Sequence, residues 1–171
     1  MSIWIRICCP ESVASVTPDA MLNGIAKRMV LLGYLYSEDF PEDELPRVRV
    51  EAISSVETFE SFDIRYGADQ VYGFRVDRWQ EPSKVKEEVT ELRNNVRNRK
   101  EFAAKRINEC LSRTIETVGI ELKLFDASGI GWPIAMAAAA WLADTSNGLV
   151  QADDVGWLEP TDVEVRTILE E

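Results

Sequence analysis

The stretch Pro82 to Val118, PSKVKEEVTELRNNVRNRKEFAAKRINECLSRTIETV, constrains this chain more than any other. Its apolar residues are Val85, Val89, Leu92, Val96, Ala103, Ile107, Cys110 or Leu111, Ile115 and Val118, at steps of three, four and seven. That spacing draws one stripe down an α-helix. Pro82 suits the first turn, Glu87 and Glu88 follow close behind, and Gly119 suits an exit. An unbroken helix over 82–118 would be about 55 Å long at 1.5 Å per residue. The stripe weakens from Asn98 to Lys100, where a kink or a break into two helices would fall.

The flanking segments read as strands with helices between them. Ile3 to Cys9 alternates Ile3, Ile5 and Ile7 against Trp4, Arg6 and Cys8, and Pro10 ends it. Thr17-Pro18-Asp19 opens a second helix with a cap, a first-turn proline and an acid at the positive end of the dipole. Met21, Leu22, Ile25, Met29 and Leu32 give its buried face. Arg47 to Trp79 divides into three alternating runs, RVRVEAI, FDIRY and VYGFRVDRW, separated by turn signals. Their polar sides hold Arg47, Arg49, Arg65 and Arg75 with Glu51, Asp63 and Asp77, which predicts cross-strand charge pairs. Ile120 to Phe125 is a further strand. An alanine-rich helix follows from Pro133 to about Ala143, bracketed by Trp132 and Trp141, then a short strand from Leu149 to Ala152. Strand, helix, strand in this order predicts a crossover unit. Thr161-Asp162 would cap a final short helix.

These elements predict a single α+β domain over residues 1–171. It has one mostly antiparallel sheet of about six strands, with the long helix (about 82–118) and the alanine-rich helix packed on it. The element order is β-α-βββ-α-β-α-β-α, with the helices largely on one face.

At 171 residues the chain can bury a substantial core. No apolar run approaches the ~20 residues that span a bilayer, and the N-terminus lacks a cleavage pattern, so a cytoplasmic protein is expected. Cys8, Cys9 and Cys110 read as free thiols in a reducing compartment.

The net charge is −11, with eight acids against one base after residue 143. Such a chain repels nucleic acid and anionic membranes and attracts a basic protein. Arg93, Arg97, Arg99, Lys100, Lys105 and Arg106 form the only basic patch, and it lacks the interleaved aromatics of a nucleic-acid interface.

There is no histidine, which removes the commonest general base and zinc ligand. The three cysteines have no CxxC spacing. Gly129-Ile130-Gly131 lacks the third glycine of a dinucleotide fingerprint and the lysine of a P-loop, and Pro133 deletes an amide that would hold phosphate. No cofactor is called for. Asp126, Asp153 and Asp154 follow strands and would hold Mg²⁺ if those strands were neighbours.

The leading expectation is therefore a non-enzymatic acidic binding protein, most concretely a bacterial immunity-type inhibitor of a basic toxin or other cationic protein. Its partner-binding residues would be Glu38, Asp39, Phe40, Glu42, Asp43 and Glu44 in the loop SEDFPEDELP, with Asp153, Asp154 and Trp157 near the C-terminus. Acids would steer association and aromatics would anchor it. The alternatives are a homodimer built on the long helix and a Mg²⁺-dependent carboxylate enzyme.

Overall fold

The computed structural model describes residues 2–33, 43–54, 57–99, 102–123, 129–161 and 164–170. Among them, eight strands form one antiparallel sheet, flanked by four helices. In chain order these are β1 (Ser2–Cys9), α1 (Pro18–Leu31), β2 (Arg49–Ala52), β3 (Ser61–Tyr66) and β4 (Tyr72–Trp79). Then come α2 (Pro82–Val96), α3 (Phe102–Arg113), β5 (Glu116–Lys123), α4 (Gly131–Thr145), β6 (Leu149–Ala152), β7 (Gly156–Pro160) and β8 (Val165–Leu169). The sheet order is β2-β3-β4-β5-β1-β6-β7-β8.

The first strand is central. β5 pairs with it on one side and β6 on the other, both antiparallel. β5 and β6 therefore run parallel, joined through α4 with β1 between them, which is the expected strand–helix–strand unit. Side-chain alternation on β1 feeds two cores. Ile5, Ile7 and Cys9 enter the larger one with Met21, Ile25 and Met29 of α1 and the alanines of α4. Cys8 enters the other, with Val85, Val89, Leu92, Val96, Ile107 and Leu111 of α2 and α3. Each such large side chain, once buried, stabilises the fold by roughly 1.5–3 kcal/mol relative to exposure.

The helices thus lie on both faces, not largely on one. Phe62, Ile64, Phe74 and Val76 of β3 and β4 pack in the α1–α4 core, so the long-helix stretch does not cover them. α4 is buried from Pro133 to Ala140, and its small side chains let α1 and the sheet close on it. Gly24 of α1 completes that approach: a Cβ there would stand 2.2 Å from the Trp141 ring.

Three further expectations are corrected. The 82–118 stretch is two helices and the start of a strand. No apolar residue continues the stripe after Val96 until α3, and after Arg113 the β-branched run Thr114, Ile115, Thr117, Val118 and Ile120 favours extended chain. Ile115 and Val118 continue the helical spacing by coincidence, and Gly119 lies inside β5 opposite Arg6 and Asp77. Of the stripe, Val85, Val89, Leu92 and Val96 face the second core, while Ile115 is exposed. The final helix is instead β8. Thr161 does accept a hydrogen bond from the Glu164 amide at 3.1 Å, as a cap would, but residues 165–169 pair with β7 as a strand. The sheet gains β7 and β8 over the six strands expected.

The α1 start is as expected, with Thr17 Oγ1 accepting from Ala20 N at 3.2 Å and Pro18 in the first turn. Gly33, at φ 74°, ends it. No described helix is long and apolar enough to cross a membrane.

Candidate functional site

The face of the sheet that bears α2 and α3 is only partly covered. Their core lies over Cys8, Leu149 and Trp157, toward β6 and β7. Across β3, β4 and β5 the same face stays open, as a shallow concavity of about 390 Å³ lined by residues including Trp4, Asp63, Arg65, Arg75, Asp77 and Glu121. Charges there are self-neutralised, as expected, but along strands more than across them. Arg65 meets Asp63 at 2.6 Å and Arg75 meets Asp77 at 3.3 Å, each two residues apart on its own strand.

At the border between the covered and open halves stands Arg6. Its Nε contacts Glu88 of α2 at 2.8 Å, and its Nη1 donates to Gln151 Oε1 at 2.7 Å and Asp153 Oδ1 at 2.8 Å. Burial opposes the charge, but Asp153, Glu88 and Glu91 outweigh it and push the guanidinium pKa up. Arg6 thereby fixes α2 over the sheet and sets the next feature.

That feature is a cleft of about 260 Å³ lined by Trp79, Thr117, Lys84, Glu87, Glu88 and Glu91. Trp79 of β4 and Thr117 of β5 are cross-strand partners, and Thr117 in turn pairs with Cys8 of β1. The indole of Trp79 lies across Gly119, where a Cβ would stand 2.4 Å from Cη2 of Trp79 and 3.5 Å from the Trp4 ring. Glycine is needed here because any side chain would displace the indole. α2 supplies the acidic wall. Glu87 and Glu91 are one turn apart on one helical face, an arrangement that weakens a helix by roughly 0.2–0.5 kcal/mol. Neither forms an ion pair among the described residues, whereas Glu88 is committed to Arg6. Under them the Thr117 hydroxyl is buried and has no hydrogen-bond partner.

The nucleophilic chemistry open to this chain is restricted. Burial pushes the Cys8 thiol well up, the Cys9 thiol up to about 12, and the Cys110 thiol up as well. These remain protonated at neutral pH and are poor nucleophiles. Among the described residues no group of three or more acids or cysteines is arranged to hold a metal ion.

Glu38, Asp39, Phe40, Glu42 and Asp126 lie outside the described residues. Asp43 and Glu44 are both bound to Arg47, at 2.5 Å and 2.9 Å. Glu44 is buried, with Oε2 unpartnered, and so presents little charge to solvent. Asp153 accepts from the Trp4 amide at 3.0 Å as well as from Arg6. Asp154 is exposed in the β6–β7 turn at φ 63°. Trp157 is buried in the second core beside Leu149 and Cys8, with 4% of its surface exposed. The described members do not converge: Arg47, which holds Asp43 and Glu44, leads into edge strand β2, five strand spacings, or about 24 Å, from β6.

The cleft residues Trp79, Thr117, Glu87, Glu88 and Glu91 were not singled out from sequence. Trp79 continues the polar side of β4, and Glu87/Glu91 is a like-charge pair at helical spacing; both are legible signals once the two are known to adjoin. Comparison with family models, with curated proteins and with solved structures finds no match for this chain.

Proposed function

We propose that the protein is a non-catalytic binding protein that neutralises a basic partner, in the manner of a bacterial immunity-type inhibitor masking a cationic toxin domain. The observation that carries this reading is the acidic wall of α2, where Glu87 and Glu91 form no contact ion pair among the described residues, beside the half-buried Trp79. A net charge of −11 would speed and steer the encounter, and a desolvated aromatic would supply much of the binding energy. A cytoplasmic location goes with it, since Cys8, Cys9 and Cys110 are all free thiols.

The test is affinity capture from lysate of the native cell at low and high salt, with wild type beside Glu87→Gln/Glu91→Gln. One basic protein retained in stoichiometric amount, weakened by salt and lost in the double variant, supports the reading. Retention of the same protein by both forms, or of nothing, overturns it.

A further inference from the structure

The cleft between α2 and the sheet has a chemistry more definite than general acidity. We infer that it is a receptor for the head group of an organic cation, an alkylammonium or guanidinium carrying N–H donors. This rests on the reading of that face as the binding face and specifies what enters it.

Three independent features converge. First, Glu87 and Glu91 supply negative charge and form no ion pair with any described residue, although Glu91 also acts on Arg6 at longer range. Glu88 is held by Arg6, and Lys84 sits on the same wall, so the cleft retains a net negative charge counting these five groups. Second, Trp79 offers an indole held in place by the absence of a side chain at Gly119. A cation over an indole is attracted by the ring quadrupole, more strongly where water is excluded. Third, Thr117 lines the same cleft with a buried hydroxyl that makes no hydrogen bond. Buried polar groups are nearly always partnered, and this oxygen is an acceptor suited to an N–H donor. Inorganic anions are repelled by the carboxylates, and neutral apolar ligands would leave both the carboxylates and the hydroxyl unsatisfied. An N–H cation satisfies all three features together.

The head group could come from a lysine or arginine of a partner protein or from a free amine. The probes are butylammonium, ethylguanidinium, tetramethylammonium, spermidine and N-acetyl-lysine-N-methylamide. Binding is followed by the Trp79 indole N–H resonance, assigned through Trp79→Phe. Butylammonium and ethylguanidinium should shift that resonance saturably. Glu87→Gln/Glu91→Gln should abolish the shift. Thr117→Val should weaken binding on the order of tenfold, the loss expected for one charge-assisted hydrogen bond, while leaving the folded spectrum intact. Tetramethylammonium, which cannot donate, should bind no better to wild type than to Thr117→Val. Tighter binding of the blocked lysine than of spermidine assigns the head group to a protein chain; the reverse assigns it to a free polyamine. No saturable shift in wild type, or shifts unchanged in the variants, overturns the inference. Failure of partner capture with intact cation binding would remove the inhibitor reading and leave the receptor standing. Capture without cation binding would do the opposite.

Discussion

Glu116 is a buried acid that the fold depends on. It is buried at the start of β5 and accepts from Arg78 Nη1 at 2.7 Å, Ser12 Oγ at 2.7 Å and the Val13 amide at 3.0 Å. Arg78 also donates to the Phe59 carbonyl, so one ion pair ties two loops to adjacent strand ends. A buried pair adds little over an apolar pair of the same shape, but breaking it leaves an uncompensated charge. Glu116→Gln should therefore lower stability by about 3–5 kcal/mol, read as a drop in the urea midpoint. Arg78→Met/Glu116→Leu should recover only part of that, because it removes both oxygens that accept from Ser12 and Val13. Wild-type stability in the single variant would refute this. At this scale the sequence was informative about direction and silent about partners. Alternation correctly set Trp4, Arg6 and Cys8 on one side of β1. It could not show that Arg6 meets Glu88, since that contact depends on where α2 lands.

Helix spacing and strand spacing overlap for short runs, and the elements show where. From Leu111 onward, Ile115 and Val118 fit a helical stripe, yet Val118, Ile120 and Leu122 fit an alternating strand equally well, and tertiary pairing with β1 decides. The C-terminal run made the same choice: Val165 to Leu169 carries Val165, Thr167 and Ile168, which favour extended chain once β7 offers an edge. By contrast α1 and α4 were legible because proline starts and small-residue stops leave no second reading. Their contact yields a sharp expectation. Gly24→Ala raises helix propensity by about 1 kcal/mol but drives a methyl into the Trp141 ring. Overpacking of this kind costs about 1–3 kcal/mol, so the melting temperature should fall, not rise.

The β8 edge carries its own pH dependence. Glu159 joins Arg106 of α3 at 2.8 Å and Arg166 of β8 at 2.9 Å. Burial opposes its charge, but hydrogen bonds from Arg166 and Arg106 win and hold the carboxyl below its ordinary value of 4.5. A depressed carboxyl stabilises the fold above that ordinary value and loses the contribution as pH falls through the folded value. The protection of amides in residues 165–169, relative to their intrinsic exchange at each pH, should fall on acidification below about pH 4.5, and Glu159→Gln should show the lowered protection already at neutral pH.

At the scale of the whole molecule, α+β class and antiparallel pairing were readable, because alternation is local. The assignment of helices to two faces was not, because it depends on which of two apolar sides each helix finds. The order of the strands was hidden for the same reason, and it carries a temporal consequence. β1 leaves the ribosome before the other described strands, yet its two neighbours lie at residues 116–123 and 149–152. At about 5–20 residues per second, on the order of ten seconds pass during which an isoleucine-rich strand waits with both edges unpaired. The nascent chain should therefore be open to holding factors until both neighbours of β1 are made. Ribosome-bound chains stalled so that β5 has left the exit tunnel but β6 has not should remain protease-sensitive in β1, whereas chains extended beyond β8 and clear of the tunnel should protect it. Protection in the shorter chain would show that β5 alone suffices.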